Sequence, residues 1–146
     1  MVRIVLDANQ FVSALLKPGS NPDLIMRLVR REKVLLLLSD AICAELLRVL
    51  TYPKIRNRLN RSVESLSEFI DKLRAVAVVI PGAVKLPPLQ SDPSDTKYLE
   101  CAVEGKADFI ISGDHHLTDL NTFQKIRIVA PATFLTIFGH YDDNPN

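Results

Sequence analysis

A chain of 146 residues that is 47% hydrophobic and 24% charged has the balance of a folded globular domain, long enough to bury about two-thirds of its unfolded surface without disulfide staples. Its formal net charge of +1 excludes bulk electrostatic attraction as a basis for nucleic-acid binding, so any such affinity must come from local clusters. No apolar run approaches the roughly 20 residues of a membrane span and the N-terminus lacks a signal-peptide pattern, so a cytoplasmic protein is expected, with Cys43 and Cys101 as reduced core thiols.

Arg3-Ile4-Val5-Leu6-Asp7 opens the chain with consecutive apolar, partly β-branched residues. The absence of alternating polar positions predicts a strand buried on both faces, ending on a carboxylate. Residues 11–16 read as a short helix stopped by Lys17-Pro18-Gly19-Ser20. Asn21-Pro22-Asp23 supplies an N-cap, a proline at the first helical position and an acid in the first turn, opening a helix with Leu24, Leu28 and Val29 as its apolar stripe. Residues 34–38 form a second fully apolar strand. Ser39 caps a helix over 40–51, with Ile42, Leu46, Val49 and Leu50 at core spacing and Pro53 as its breaker.

Beyond a basic segment, Ser62 caps a helix in which Leu66, Phe69, Ile70 and Leu73 recur at i, i+3, i+4 and i+7. Residues 76–80 read as a strand closed by Pro81-Gly82, and a Pro-rich loop follows. Asp92-Pro93-Ser94-Asp95 starts a helix that Gly105 stops. Residues 109–111 are a strand ending at Ser112-Gly113-Asp114, residues 126–129 are the last strand, and a short helix spans about 133–137. One domain over 1–138 and a polar tail over 139–146 are therefore expected. Strands alternating with helices predict an α/β fold, a three-layer α/β/α sandwich with a mostly parallel central sheet.

The carboxylates at strand ends and helix starts are Asp7, Glu45, Asp92, Asp95 and Asp114. If the strands ending at Asp7 and Asp114 are parallel neighbours, the two acids share one sheet edge at a strand spacing of about 4.8 Å. In open α/β sheets that edge is where ligands bind. Several anionic oxygens with few cations beside them repel one another, and a hard divalent cation relieves this. All-oxygen ligation without His or Cys spacing points to Mg²⁺ or Mn²⁺, which polarises a phosphoryl oxygen and activates a bound water. Each acid also has a plainer reading: Asp92 and Asp95 as an N-cap and its N3 acid, Glu45 as a surface glutamate, Asp114 as a turn residue. His115 and His116 read as loop histidines rather than as ligands or a general base.

Val5-Leu6-Asp7-Ala8-Asn9, the segment 39–45, Asp92-Pro93-Ser94-Asp95 with Tyr98-Leu99-Glu100-Cys101-Ala102, and Ala107-Asp108-Phe109-Ile110-Ile111-Ser112-Gly113-Asp114 stand in an order and spacing that resembles the PIN domain over nearly the whole chain. The resemblance implies a metal-dependent ribonuclease with Asp7, Glu45, Asp95 and Asp114 as catalytic and metal-holding acids. Asn9 and Ser112 match positions that orient those carboxylates by hydrogen bonds. Many relatives place a further carboxylate where this chain has His116. The chain is most similar in look to the VapC-type toxins of prokaryotic toxin–antitoxin pairs. That implies an RNA substrate, a small DNA-binding antitoxin that blocks the nuclease site, and a second copy of the chain in a homodimer as partners, and no membrane.

A PIN-like RNA-binding or scaffold module without activity is compatible with the same acids. A receiver-type phospho-acceptor domain would require an acidic pair before the first strand's aspartate and a lysine after a late strand, and Arg3-Ile4-Val5-Leu6 and Val129-Ala130-Pro131 supply neither. A haloacid-dehalogenase-like phosphatase would require an aspartate where Asn9 stands. Lys54, Arg56, Arg58 and Arg61, with no acid among them, read either as a solvated connection or as an arm that tracks RNA phosphates. Single-stranded RNA is the expected substrate form.

Overall fold

The apolar run at the start of the chain forms β1 (Arg3–Leu6), which lies inside a six-stranded sheet in the computed structural model. The structure describes residues 1–142, and the side chains of residues 1–139. The other strands are β2 (Leu35–Leu38), β3 (Val78–Val79), β4 (Phe109–Ile111), β5 (Thr122–Phe123) and β6 (Ile126–Val129), in the order β3-β2-β1-β4-β6-β5. Every pairing is parallel except β5 with β6. Leu36, Leu37 and Leu38 are fully buried, as are Ile4, Ile110 and Ile111, and each such side chain contributes about 1.5–3 kcal/mol through burial.

Strand order runs outward from β1 in both directions, to β2 and β3 on one side and to β4 and β6 on the other. Right-handed crossovers that travel in opposite directions place their helices on opposite faces, which gives the three-layer α/β/α sandwich. The first helices are α1 (Ala8–Leu16), α2 (Asn21–Arg30) and α3 (Asp40–Leu50), and α1 packs on both of the others. They are followed by α4 (Pro53–Leu59), α5 (Val63–Val76), α6 (Thr96–Gly105), α7 (His115–Thr118) and α8 (Pro131–Asp142). Helix α6 lies against β1, β2 and β4. The strand order reverses between β1 and β4, the switch point at which open α/β sheets bind ligands.

Several local expectations are corrected. Helix α1 begins at Ala8 rather than residue 11, because Asp7 itself is the N-cap and accepts the Gln10 amide at 3.2 Å. The N-cap of α2 is Ser20, and its buried face is Ile25, Met26 and Val29, with Leu24 exposed. Pro53 opens α4 instead of merely ending α3, since proline at the first helical position loses no helical hydrogen bond. The strand expected over 76–80 is reduced to Val78–Val79, exposed at the sheet edge, because α5 continues through Val76.

Gly105 is the last residue of α6, and the left-handed residue that ends the helix is Lys106 at φ 55°. A Cβ on Gly105 would stand 2.6 Å from Leu37 Cδ1, so glycine is needed for helix-to-sheet approach. Strand β5 is invisible to periodicity, since it is two residues long and joined to β6 by Gln124 and Lys125 at φ 48° and 71°, without the glycine or asparagine such a turn favours. The final helix runs past the expected 133–137 to Asp142, and the end of the expected tail, 143–146, lies outside the described residues.

Candidate metal centre

Leu6 pairs with Ile111, and the residues that follow the two strands, Asp7 and Ser112, meet at the sheet edge. Ser112 is fully buried and donates its hydroxyl to Asp7 Oδ2 while accepting the Asp114 amide at 2.9 Å. One hydroxyl thus sets the spacing between the loops that carry Asp7 and Asp114. Asp7 is only 4% exposed. Burial raises its pKa above the ordinary carboxylate value, opposed by hydrogen bonds from the Ser112 hydroxyl and the Gln10 and Asn9 backbone amides; the charge of Asp114 adds to the rise. Asp114 caps α7, accepting the His116 amide on Oδ1 at 2.9 Å.

Asp92 caps the 3-10 turn at Pro93–Asp95, accepting both the amide and the hydroxyl of Ser94 at 3.0 and 2.6 Å. That turn swings Asp95 inward. Asp95 makes no side-chain capping bond to α6, is 7% exposed, and leaves Oδ2 buried without a hydrogen-bond partner. Burial pushes its carboxyl up to about 7, helped by the charge and hydrogen bond of Asp114 and by the charges of Asp92 and Asp7. Carboxylate oxygens of Asp92, Asp95 and Asp114 lie within 4.8 Å of one another. Asp92 therefore caps the turn and joins the cluster at once.

Glu45 stands apart from that trio. Its oxygens are held by Arg48 at 2.7 and 3.3 Å, and Lys97 Nζ is 4.0 Å away. Asn9 is exposed, and what it offers Asp7 is its backbone amide. Two residues that sequence reasoning did not single out as site residues belong to the same edge. Tyr98 is buried three residues beyond Asp95, and its hydroxyl accepts the Ala8 amide at 3.0 Å, tying α6 to the start of α1. Burial raises its pKa, and the charges of Asp7, Glu45 and Asp95 add to the rise. Its spacing from Asp95, one helical turn along the same face, was the available signal. Gln10 is buried beside Asp7 with Oε1 unpartnered, and no sequence pattern marks it.

Lys54, Arg56 and Arg58 of the basic segment lie on α4, and Arg61 lies in the connection to α5. Lys54 and Arg58 on α4 are exposed and Arg56 is half-buried, whereas Arg61 is bound by Ser65 and lies over the Phe69 ring at 5.8 Å. Cys43 and Cys101 are buried and unpaired by disulfide, and burial pushes the Cys101 thiol up to about 12. A groove of about 740 Å³, lined by residues including Val2, Lys106, Phe109 and Arg127, opens at the opposite edge of the sheet from the acids.

The family model described as PIN domain matches residues 3–116. The chain belongs to the PIN domain family. It is also 31% identical over 151 aligned positions to an uncharacterized protein of Methanocaldococcus jannaschii, covering 96% of this chain and 94% of that one.

PIN domains form a nuclease family that generally uses divalent metal ions and acts on RNA. The residues of this PIN domain fit such an ion. The donors are all oxygen, which suits a hard cation, and Asp95 presents a buried oxygen that no group of the protein satisfies. Among the described residues, no helix is long and apolar enough to cross a membrane.

Proposed function

We propose that this PIN domain is a Mg²⁺- or Mn²⁺-dependent endoribonuclease of single-stranded RNA and the toxin of a toxin–antitoxin pair, acting as one nuclease domain over residues 1–138. The observation that carries the reading is the cluster of Asp92, Asp95 and Asp114 carboxylates within 4.8 Å of one another, in which Asp95 also keeps Oδ2 buried and unpartnered. Such an arrangement is costly for the protein alone, because like charges and burial both oppose ionisation. In this reading Asp7, Asp95 and Asp114, with Asp92, hold the ion, and Glu45 lines the same side through Lys97. When bound, the ion would polarise a phosphoryl oxygen and activate water for in-line attack.

The remaining roles belong to the chain. Ser112 keeps Asp7 and Asp114 at a constant separation through its two hydrogen bonds. Tyr98 holds the start of α1 against α6, so that Asp7 and Asp95 move as one body. Lys54, Arg56 and Arg58 offer sequence-independent contacts to RNA phosphates. The acidic edge, reached through the half-buried Asp92 and Asp114, also suits a cationic segment of a small DNA-binding antitoxin, which would compete with the metal and block cleavage, and a homodimer would present two such edges.

The test is cleavage of a single-stranded RNA and its matched duplex by the purified chain in EDTA, Mg²⁺ or Mn²⁺. Cleavage of the single strand that requires metal and is absent in a folded Asp114→Asn variant supports the reading. Wild-type turnover in EDTA, or in Asp114→Asn, overturns it. For the toxin role, expression in a bacterial host should arrest growth, and Asp114→Asn should relieve the arrest; arrest that persists in the variant counts against it.

A further inference from the structure

Beside the all-oxygen cluster is a second donor set of different chemistry. Asp114, His115 and His116 place one carboxylate oxygen and two imidazole nitrogens within 4.8 Å of one another. The two rings have centroids 4.1 Å apart, and His115 Nδ1 stands 3.9 Å from Asp114 Oδ1. The His116 amide fixes the start of the segment by donating to Asp114 Oδ1 at 2.9 Å. His116 is half-buried.

We propose that Asp114, His115 and His116 form a second divalent-cation position, selective for borderline ions of the zinc class, which shares Asp114 with the oxygen cluster of Asp92 and Asp95. The selectivity follows from ligand type. Imidazole nitrogen suits zinc, cobalt, nickel and copper, whereas Mg²⁺ takes oxygen and dehydrates reluctantly. Zinc binds nitrogen and carboxylate oxygen at about 2.0–2.2 Å, so its ligands must close to within about 4 Å of one another. His115 is exposed and free to rotate that short distance. His116 and Asp114 are already anchored by the backbone. A three-ligand set leaves a fourth position open, the pattern of a site that exchanges its ion or binds a further ligand.

Sharing Asp114 gives the site a consequence. An ion drawn toward the imidazoles takes one carboxylate from the oxygen cluster, so zinc and Mg²⁺ oppose each other's binding, and by linkage the antagonism is equal in both directions. The position does not rest on the ribonuclease reading, because its donors and their spacing are the same whether or not RNA is cleaved.

The experiment is calorimetric titration of the full chain with Zn²⁺, in the absence and presence of Mg²⁺, for the wild type, the double variant His115→Asn/His116→Asn and Asp95→Asn. Losing even a group that supports a ligand costs roughly 10- to 100-fold in metal affinity, so the double variant should lose at least that much zinc affinity while keeping its Mg²⁺ affinity. Asp95→Asn should lose Mg²⁺ affinity and keep zinc. Copper(II) serves as a second probe, with nitrogen hyperfine splitting in the wild-type electron paramagnetic resonance spectrum that the double variant lacks. Unchanged zinc affinity and unchanged copper spectrum in the folded double variant overturn the proposal. Failure of Mg²⁺ to bind the wild type would count against the oxygen cluster alone.

Discussion

Ser112 and Asp7, 105 residues apart in sequence, share a buried hydrogen bond across the β1–β4 pair, with the Ser112 hydroxyl as donor. Replacing Ser112 by alanine leaves one Asp7 oxygen and the Asp114 amide without their partner. The expected cost is about 1–3 kcal/mol of stability, together with weaker Mn²⁺ binding, since the Asp7 pKa rises further when the hydroxyl that lowers it is gone. Chemical denaturation and Mn²⁺ titration of Ser112→Ala check both.

Divalent metal should raise the melting temperature of the wild type. An ion bound only by the folded state adds about 2.7 kcal/mol at 100 times its Kd. Asp95→Asn should lose most of that metal response and melt higher than the wild type in EDTA, because it removes the carboxyl that repels Asp92 and Asp114. A melt in EDTA identical for the two proteins would mean that the acids do not strain the metal-free chain.

Acidity should act on the metal-free protein in an unusual direction. A carboxyl whose pKa is higher folded than unfolded binds its proton more tightly in the native state, so its contribution is present below the unfolded value and lost as pH rises through the folded one. For Asp95 that window runs from the ordinary 3.8 up to about 7, and Asp7 is shifted in the same direction. Stability in EDTA should therefore fall across that range. Asp95→Asn should flatten the fall, and saturating Mn²⁺ should remove it by keeping the carboxylates charged.

Arg61 should separate from its neighbours in the basic segment. Gln at Arg56 and Arg58 should weaken binding of all single-stranded RNAs alike and reduce the salt slope by roughly 0.7 per lost phosphate contact. Arg61→Gln should instead lower stability, since its guanidinium is bound to Ser65 and Phe69. Filter binding across a salt series, beside thermal melts, distinguishes the two effects.

At the end of α6, Gly105→Ala should cost about 1–3 kcal/mol through overpacking against the buried Leu37. Lys106→Gly should gain about 0.5–1 kcal/mol, since a lysine held at φ 55° is strained. The signs are opposite for adjacent residues, and denaturation midpoints read them directly.

The parts of the fold legible in the sequence are those where one physical signal dominates. Apolar runs such as the one through Leu35–Leu38 read as buried strands because they are short and bounded by polar residues, and two apolar strands ending in Asp7 and Ser112-Gly113-Asp114 imply a shared edge. What escaped reading depends on three-dimensional neighbours. Gly105 looked like a helix stop because its constraint, Leu37, lies 68 positions earlier in a different element. Asp92 looked like a cap because it is one; only the 3-10 turn beyond it reveals that its carboxylate also faces Asp114. The partners of Glu45, Arg48 and Lys97, were likewise not legible, because spacing alone does not say which cation a carboxylate takes.

The position of β4 has a consequence for how the chain comes into being. Ile4 pairs with Leu36 on one side and with Phe109 on the other, so the first neighbour of β1 emerges early in synthesis and the second only after about 70 further residues. At about 5–20 residues per second that interval lasts several seconds, during which one flank of β1 carries unpaired backbone groups, a surface that invites foreign strands. Closing that flank and bringing Asp114 to Asp7 are the same event. A nascent chain that has not yet received β4 is both the most adhesive form of this PIN domain and one that still lacks Asp114, so its acidic edge is assembled only when the sheet is complete.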